Sequence, residues 1–287
     1  RGRIRFELPM MWSVAFMLTF VIGGMTGVML AVPPADFQFH NSLFLVAHFH
    51  NVIIGGVLFG LFAGINYWWP KAFGFKLDRK WGVISFWCWV VGFWVAFTPL
   101  YVLGLMGVTR RVRHFDDPSL QVWFVVAAIG AAIIAAGIGA MLMQFYVSIR
   151  DRKTLVDVTG DPWNGRTLEW ATSSPPPAYN FAFTPVIHEL DAWYDMKARK
   201  IARPTEGFRA IHMPKNTWAG IVLAGLSTVF GVAMIWYMWW LAVLAFVALV
   251  VTAIVNTFDY DRDFDIPAED VRQAEDARTR ALAAAGV

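Results

Sequence analysis

Six long apolar stretches constrain the fold of this chain more than any other feature of its sequence. A helix needs about 20 consecutive apolar residues to cross the hydrocarbon core of a membrane. The stretches span residues 8–32, 43–69, 81–106, 120–147, 218–236 and 239–258. Because 57% of the 287 residues are hydrophobic and the mean hydropathy is +0.50, the composition excludes an ordinary water-soluble domain. We therefore predict an all-α fold, a polytopic membrane helix bundle with about six transmembrane helices.

The positions of the basic residues indicate how these helices are oriented. Lysine and arginine accumulate in the cytoplasmic loops of membrane proteins. Basic residues occur at Arg1, Arg3 and Arg5, in the loop at 71–80 and ten times in 150–215, whereas the loop at 33–40 has none. We therefore predict that the start of the chain, the long loop and the C-terminal tail are cytoplasmic. The net charge of +3 then reflects orientation and does not indicate a nucleic-acid partner.

The same pattern predicts two regions. Residues 1–258 are expected to form the transmembrane bundle, with a cytoplasmic loop at 150–215, and residues 259–287 to form a polar cytoplasmic tail. Within the loop, a short helix is predicted to begin at Thr184, which precedes a proline. Within the tail, a soluble helix is predicted to begin near Pro267.

Two histidines lie inside the second apolar stretch, in the motif His48-Phe49-His50. Side chains two residues apart are rotated by about 200° around a helix, so these imidazoles leave opposite faces. They cannot hold one metal ion together, as histidines at i and i+4 can. Each can ligate a separate redox centre, since imidazole is an axial ligand of haem iron and ionisable groups within a membrane are usually functional. The alternative is two histidines that are hydrogen-bonded to neighbouring helices.

Charged residues also gather where the sequence predicts the outer membrane face. Arg110, Arg111 and Arg113 lie in a loop that is external by parity, although external loops are normally poor in basic residues. A bound anion would hold them there, because guanidinium groups pair bidentately with carboxylates such as haem propionates. Ordinary anchoring at the interface is the alternative. Asp36 and His40 flank the same face, either as part of that site or as a polar loop.

Three segments carry distinctive motifs: HNSLFLVAHFHNV at 40–52, TRR at 109–111 and WATSSPPP at 170–177. The first resembles the histidine-bearing helix of subunit I of the haem–copper oxidases, and the other two resemble further markers of that family. The resemblance covers essentially the whole chain and is greatest to the cytochrome bo-type ubiquinol oxidases. It implies that the chain corresponds to the C-terminal half of a subunit with twelve or more transmembrane helices.

The resemblance implies specific roles for the histidine motif. His48 would be the proximal ligand of a high-spin haem, o-type or a-type, where oxygen binds. His50 would be one of two axial ligands of a low-spin b-type haem, and Phe49 would lie between the haems on the electron path. His48 and Phe49 are thus the candidate catalytic residues. The copper ligands would lie outside this chain, because no other intramembrane histidine remains, so the chain would not be active alone.

The resemblance also assigns the residues at the outer face. Arg110 and Arg111 would contact the haem propionates, and Asp36 and His40 would belong to the polar region above them. Asn41 stands where many cytochrome c oxidases have an aspartate that helps to bind magnesium, which favours the quinol branch of the family.

The implied parent enzyme oxidises ubiquinol, reduces oxygen to water and pumps protons in aerobic respiration. It would lie in the bacterial inner (plasma) membrane together with other oxidase subunits. The nearest alternative is subunit I of a cytochrome c oxidase, which has a different electron donor. A more remote alternative is a cofactor-free transporter or channel in which His48 and His50 relay protons, and such a protein would show no haem absorbance.

Overall fold

The computed structural model describes residues 4–201 and 203–286, so Arg1 and Arg3, which helped to orient the first helix, lie outside the described residues. Its internal contacts divide the chain into two compact units. The first comprises Arg1–Pro176 and His188–Ala198, and the second comprises Pro177–Ile187 and Arg199–Val287. The predicted boundary between bundle and tail at residues 258 and 259 stays a prediction.

Long helices make up most of the first unit. In chain order the helices are α1 (Leu8–Ala31), α2 (Pro33–Phe39), α3 (Leu43–His50), α4 (Phe59–Phe73), α5 (Arg79–Leu105), α6 (Gln121–Arg150) and α7 (Ala192–Ala198). A π-helical segment, Asn51–Leu58, joins α3 to α4 without a break, so that Leu43–Phe73 forms one 31-residue helix. Two single 3₁₀ turns, Pro118–Leu120 and Leu168–Ala171, complete the unit's helical structure among the described residues.

The second unit contains three helices and a two-stranded sheet within its described part. The helices are α8 (Ala219–Ile235), α9 (Trp239–Thr257) and α10 (Ala268–Ala284), and the last confirms the soluble helix predicted near Pro267. Strand β1 (Ile211–Pro214) pairs antiparallel with β2 (Asp263–Ile266), with Ile211 opposite Ile266. The sequence analysis did not predict this pairing, since the partners are more than fifty residues apart.

The polytopic helical bundle is confirmed. Within the described part of the chain, five helices are long and apolar enough to cross a membrane: Leu8–Ala31, Leu43–Phe73, Arg79–Leu105, Pro118–Arg150 and Trp239–Thr257. They coincide with five of the six predicted stretches. The remaining stretch, 218–236, forms the apolar helix α8, which at 17 residues is shorter than the usual span of about 20. The chain is therefore a membrane protein.

Local sequence signals explain where the helices start and stop. The Ser42 hydroxyl accepts a hydrogen bond from the Phe44 N–H and caps the start of α3. The Asp78 carboxylate caps α5 by accepting from the Trp81 N–H at 2.8 Å. Helix α4 ends at Gly74, whose φ of 79° is the left-handed conformation that glycine adopts without steric cost. These caps set the ends of the helix that carries His48 and His50 and of its neighbour.

The core of the first unit is aromatic. Trp12 of α1 is only 1% exposed, and its ring centroid lies 5.3 Å from that of Phe59 and 5.0 Å from those of Phe62 and Phe86. Edge-to-face packing of this kind adds about 0.5–1.5 kcal/mol per pair to the effect of burial. The cluster holds α1 against α4 and α5 below the histidine motif.

Helices α5 and α6 approach each other closely through small residues. A Cβ atom added to Gly130 would lie 2.2 Å from the backbone nitrogen of Ala96. The Ser85 hydroxyl donates to the Gly137 carbonyl at 2.9 Å across the same interface. Small residues at helix contacts permit backbone proximity and interhelical hydrogen bonds in membrane proteins.

The predicted start of the loop helix is wrong. Residues 184–190 are not helical, and the short helix is α7, Ala192–Ala198. The expected apolar face has nothing to pack against, since Leu190 is fully exposed at 101%, and isolated short helices are marginal without such packing. In α7, by contrast, the Trp193 indole N–H donates to the Asp161 carboxylate at 2.8 Å, and this contact stabilises the turn.

Candidate functional site

The histidine motif lies at a change in helix type. His48 and His50 occupy the last turn of α3, and Asn51 begins the π-helical segment. π-helical segments are rare and frequently occur at functional sites. Here the segment packs tightly on α1, because a Cβ atom added to Gly55 would lie 2.1 Å from a side-chain carbon of Thr19. The backbone around the motif is therefore held closely by its neighbour.

The hydrogen bond of His50 defines its tautomer. Its Nδ1 lies 2.7 Å from the Val46 carbonyl oxygen, which can only accept a hydrogen bond. Nδ1 therefore carries the proton, and Nε2 has the lone pair that a metal ion requires. The ring stacks between Phe49 and Phe97 of α5, with centroid separations of 4.4 and 4.3 Å. Phe49 itself is half-buried, and its ring lies 29° from the plane of the His50 ring.

His48 contacts a different helix. Its Nδ1 lies 3.0 Å from the Thr26 hydroxyl oxygen of α1. The Thr26 hydroxyl also lies 2.9 Å from the Gly23 carbonyl oxygen, and when it donates there its own oxygen accepts from His48 Nδ1–H. In that arrangement Nε2 of His48 carries the lone pair as well. The ring lies over Gly27, where an added Cβ atom would come within 3.0 Å of Cε1.

The two imidazoles fit the role of haem ligands. His50 has the Nδ1–H tautomer, and the contact of His48 Nδ1 with Thr26 fits the same tautomer, which is the arrangement that leaves Nε2 for iron. One ring contacts Thr26 of α1 and the other stacks on Phe97 of α5, which confirms that His48 and His50 diverge from the helix. Among the residues the structure describes, no group of three or more His, Cys, Asp or Glu side chains is placed to hold another metal ion. The location of the copper ligands outside this chain stays a prediction.

The loop that carries Arg110 and Arg111, called the arginine loop below, is hydrogen-bonded to the start of the histidine helix, which is the helix that carries His48 and His50. The Leu43 N–H donates to the Val108 carbonyl at 2.9 Å, and the Arg110 N–H donates to the Asn41 carbonyl at 2.8 Å. Arg110 is half-buried, whereas Arg111 is exposed and has a φ of 66°. The helical rise from Leu43 to His48 is about 7.5 Å. The arginine loop is therefore attached to the helix between one and two turns before His48, the nearer of the two histidines.

Asp36 and His40 form a separate pair at the same end. They lie on α2 and at its C-cap, 4.0 Å apart at i and i+4, with both side chains exposed. Among the described residues, the structure records no direct contact between this pair and the side chains of Arg110 or Arg111. The structure therefore places all four candidates near the start of α3 without joining them into one network, and their assigned roles stay predictions.

A cavity of the first unit lies away from the histidine motif. It has a volume of about 1200 Å³, and Tyr67, Trp163 and Arg166 are among its lining residues. Tyr67 lies near the end of α4, at the opposite end of the long helix from the histidine motif. None of the predicted site residues lines this cavity.

Sequence reasoning missed three polar residues around His48. Thr26, Tyr101 and Asn51 lie in three separate segments of the chain and are joined by hydrogen bonds within the structure. The only available signal was that each is a polar residue inside an apolar stretch, and polar side chains there usually bond to neighbouring helices. Which neighbours they would meet was not readable from the sequence.

Comparison with known proteins agrees with the resemblance. Residues 1–133 match the family model described as "Cytochrome C and Quinol oxidase polypeptide I". The chain is 55% identical over 99% of its length to "Ubiquinol oxidase subunit 1" of Acetobacter aceti. It is 51% identical over 96% of its length to "Probable cytochrome c oxidase subunit 1" of Bradyrhizobium diazoefficiens. It is also 48% identical over its full length to "Cytochrome bo(3) ubiquinol oxidase subunit 1" of Buchnera aphidicola subsp. Schizaphis graminum.

These relatives are longer proteins. The chain spans 44% of the Acetobacter protein, 42% of the Bradyrhizobium protein and 44% of the Buchnera protein. Their names describe one subunit of an oxidase, so what the whole subunit does involves residues beyond those present here.

Proposed function

We propose that this chain is part of the catalytic subunit of a haem–copper terminal oxidase, because residues 1–133 match the subunit I family model and the chain is 55% identical to a ubiquinol oxidase subunit 1. The parent enzyme oxidises ubiquinol, reduces oxygen to water and pumps protons. It resides in the bacterial inner (plasma) membrane and works with further oxidase subunits. The ubiquinol donor is supported by the Acetobacter and Buchnera relatives, which are named as ubiquinol oxidases.

One observation supports this function above all others. Two imidazoles diverge from one membrane helix, and Nδ1 of each is held in a hydrogen bond. A histidine that ligates iron needs Nδ1–H held and Nε2 free. The arrangement therefore favours two haem ligands over the cofactor-free transporter.

Each residue of the motif has a distinct task in this proposal. His48 binds the iron of the high-spin haem, o-type or a-type, and His50 binds the iron of the low-spin b-type haem. Phe49 fills the space between them, and its stacking with His50 orients that ring. When bound, the haems and the copper, whose ligands lie outside this chain, supply the electron-transfer and oxygen-reducing chemistry.

The charged residues near the start of α3 interact with the haem propionates in this proposal. The backbone hydrogen bond of Arg110 to Asn41 holds the arginine loop next to the histidine helix. Arg110 and Arg111 neutralise propionate charge, which favours the ionised propionates and thereby tunes the reduction potentials. Asp36 and His40 supply the polar region above.

A cytochrome c oxidase is the second candidate. It is favoured by the 51% identity to the Bradyrhizobium protein, which is named as a probable cytochrome c oxidase subunit. Asn41 favours the quinol donor instead. The two candidates share the haem helix and differ only in the donor, so turnover of the purified parent complex with ubiquinol and with reduced cytochrome c distinguishes them.

The test is a reduced-minus-oxidised visible spectrum of the full-length parent in its complex, with and without carbon monoxide. We expect His48→Ala to abolish the carbon monoxide-sensitive haem signal and His50→Ala to abolish the low-spin signal while partly sparing the other. His114→Ala is the matched control, because His114 lies in an exposed loop and pairs with Asp116 at 3.0 Å. Retention of both haems in both variants, or a parent without haem absorbance, contradicts the proposed function.

A further inference from the structure

His48 is the end of a chain of hydrogen bonds that crosses three helices. The Asn51 amide donates from Nδ2 to the Tyr101 hydroxyl at 2.8 Å. The Tyr101 hydroxyl oxygen lies 3.2 Å from that of Thr26, which lies 3.0 Å from Nδ1 of His48. Thr26 belongs to α1, Tyr101 to α5, and Asn51 directly follows α3. Each helix around the ligand thus contributes one member.

One arrangement of the protons gives every donor in this network an acceptor. Because Asn51 donates to Tyr101, the phenol hydrogen is available for Thr26. With the Thr26 hydrogen on the Gly23 carbonyl, the Thr26 oxygen accepts from both Tyr101 and His48. The arrangement is consistent with a single tautomer of His48, the one with the proton on Nδ1 and the lone pair on Nε2.

The Asn51 end of this network is buried. Asn51 is fully buried at 0% exposure, and its Oδ1 has no hydrogen-bond partner within the described residues. A buried amide oxygen without a partner destabilises a fold. The amide nitrogen makes both of the hydrogen bonds of this side chain, to the Tyr101 hydroxyl and to the Ala47 carbonyl.

The two histidines differ in the origin of their partners. His50 donates to Val46, one turn earlier on its own helix, so its hydrogen bond is part of the local helix. His48 donates to a side chain on another helix, 22 residues away in sequence. A single side-chain substitution can therefore remove the partner of His48 and leave that of His50 intact.

We propose that Thr26, Tyr101 and Asn51 are positioning residues that set the orientation and donor strength of His48 as a ligand. Hydrogen bonding from Nδ1–H raises the basicity of Nε2 and fixes the ring's rotation. The network thus tunes the high-spin haem independently of the low-spin haem. This inference rests on the proposed function, since it requires that His48 binds haem iron.

The experiment uses the full-length parent in its complex and the variants Thr26→Val, Thr26→Ser and Tyr101→Phe. Resonance Raman spectroscopy measures the iron–histidine stretching frequency of the reduced high-spin haem, and a redox titration measures the potentials of both haems. Thr228→Val is the matched control, because the Thr228 hydroxyl donates only to Ala224 of its own helix at 2.9 Å.

We expect Thr26→Val to lower the stretching frequency and to raise the potential of the high-spin haem, since a weaker donor stabilises the oxidised iron less. The low-spin haem should keep its potential. Turnover should fall by about tenfold, the lower end of the range seen when the partner of a metal ligand is removed. Thr26→Ser should restore the frequency, and Tyr101→Phe, which keeps the acceptor, should shift it by less than Thr26→Val does.

An unchanged frequency in Thr26→Val overturns the inference, and so does an equal change in the Thr228→Val control. If Thr26→Val fails to assemble, an unchanged frequency in Tyr101→Phe overturns it. The proposed function is tested separately. If His48→Ala loses the haem but Thr26→Val leaves the frequency unchanged, only the positioning role is refuted. A parent without haem refutes both the positioning role and the proposed function.

Discussion

Replacing Lys71 with methionine should loosen the loop that follows α6. Lys71 is a long cationic side chain near the end of α4, yet it is only 8% exposed. Its ammonium group donates to the carbonyl oxygens of Gly160, Thr172 and Ser173 at 2.8, 3.1 and 3.2 Å. The Nζ atom also lies 5.2 Å from the centroid of the Trp170 ring. One side chain of α4 therefore holds two separate parts of the loop.

The magnitude follows from these contacts. Methionine preserves most of the apolar stem and the contact with the indole ring, but it cannot donate. A hydrogen bond to a charged group contributes about 1.5–3 kcal/mol. Counting only the two shortest bonds to carbonyls at the lower value, we expect the loop to open more easily by about 3 kcal/mol. This corresponds to roughly a hundredfold faster amide exchange in the loop, since each 1.4 kcal/mol is a factor of ten.

The assay is hydrogen exchange of the parent complex, followed by mass spectrometry of peptides from residues 157–176. Lys80→Met is the matched control, because Lys80 lies in the same basic region but is exposed. We expect fast exchange only in Lys71→Met, with unchanged haem spectra. Equal exchange in the two variants, or protection of the loop in both, would refute the assignment of Lys71 as its anchor.

Two further outcomes follow from the geometry. Gly130→Ala should destabilise the subunit in detergent by about 1–3 kcal/mol, as overpacking does, because the new methyl group meets the backbone of Ala96; Gly139→Ala on the same helix, with nothing within 4 Å, should not. Equal thermal stability of these variants would contradict the close packing of α5 and α6.

The Asp265 carboxylate, with Asp263 also near the ring, raises the pKa of His212 above its usual 6.5, so protonation stabilises the pairing of β1 and β2. That contribution is complete below pH 6.5 and is lost as the pH rises through the raised pKa; an NMR titration that places the pKa of His212 at or below 6.5 would disprove it.

The sequence predicted the features that depend on one segment alone. Five of the six apolar stretches form helices long enough to cross a membrane, because a chain in lipid must satisfy its backbone hydrogen bonds within the segment. The divergence of His48 and His50 is a consequence of helical periodicity and needs no knowledge of neighbouring helices. The family resemblance of the motif is equally local.

The short loop helix shows where local reasoning stops. A proline after Thr184 is a good start signal, but the helix forms at Ala192–Ala198. The difference lies in tertiary contacts, since Trp193 reaches Asp161, more than thirty residues earlier, while Leu190 contacts nothing that would bury it. A start signal without a surface to pack on does not sustain a helix of this length.

Only the tertiary structure decided which residues support the ligand candidates. Helical periodicity predicts in which direction a side chain leaves its own helix, but it does not predict how two helices are rotated relative to each other. Thr26 therefore could not be matched to His48 across 22 residues, nor Lys71 to Gly160 across 89. In sequence, Lys71 was one more basic residue that oriented a loop. In the structure its ammonium group is buried among carbonyl oxygens, because packing of α4 against the loop removed water and left those oxygens as its partners.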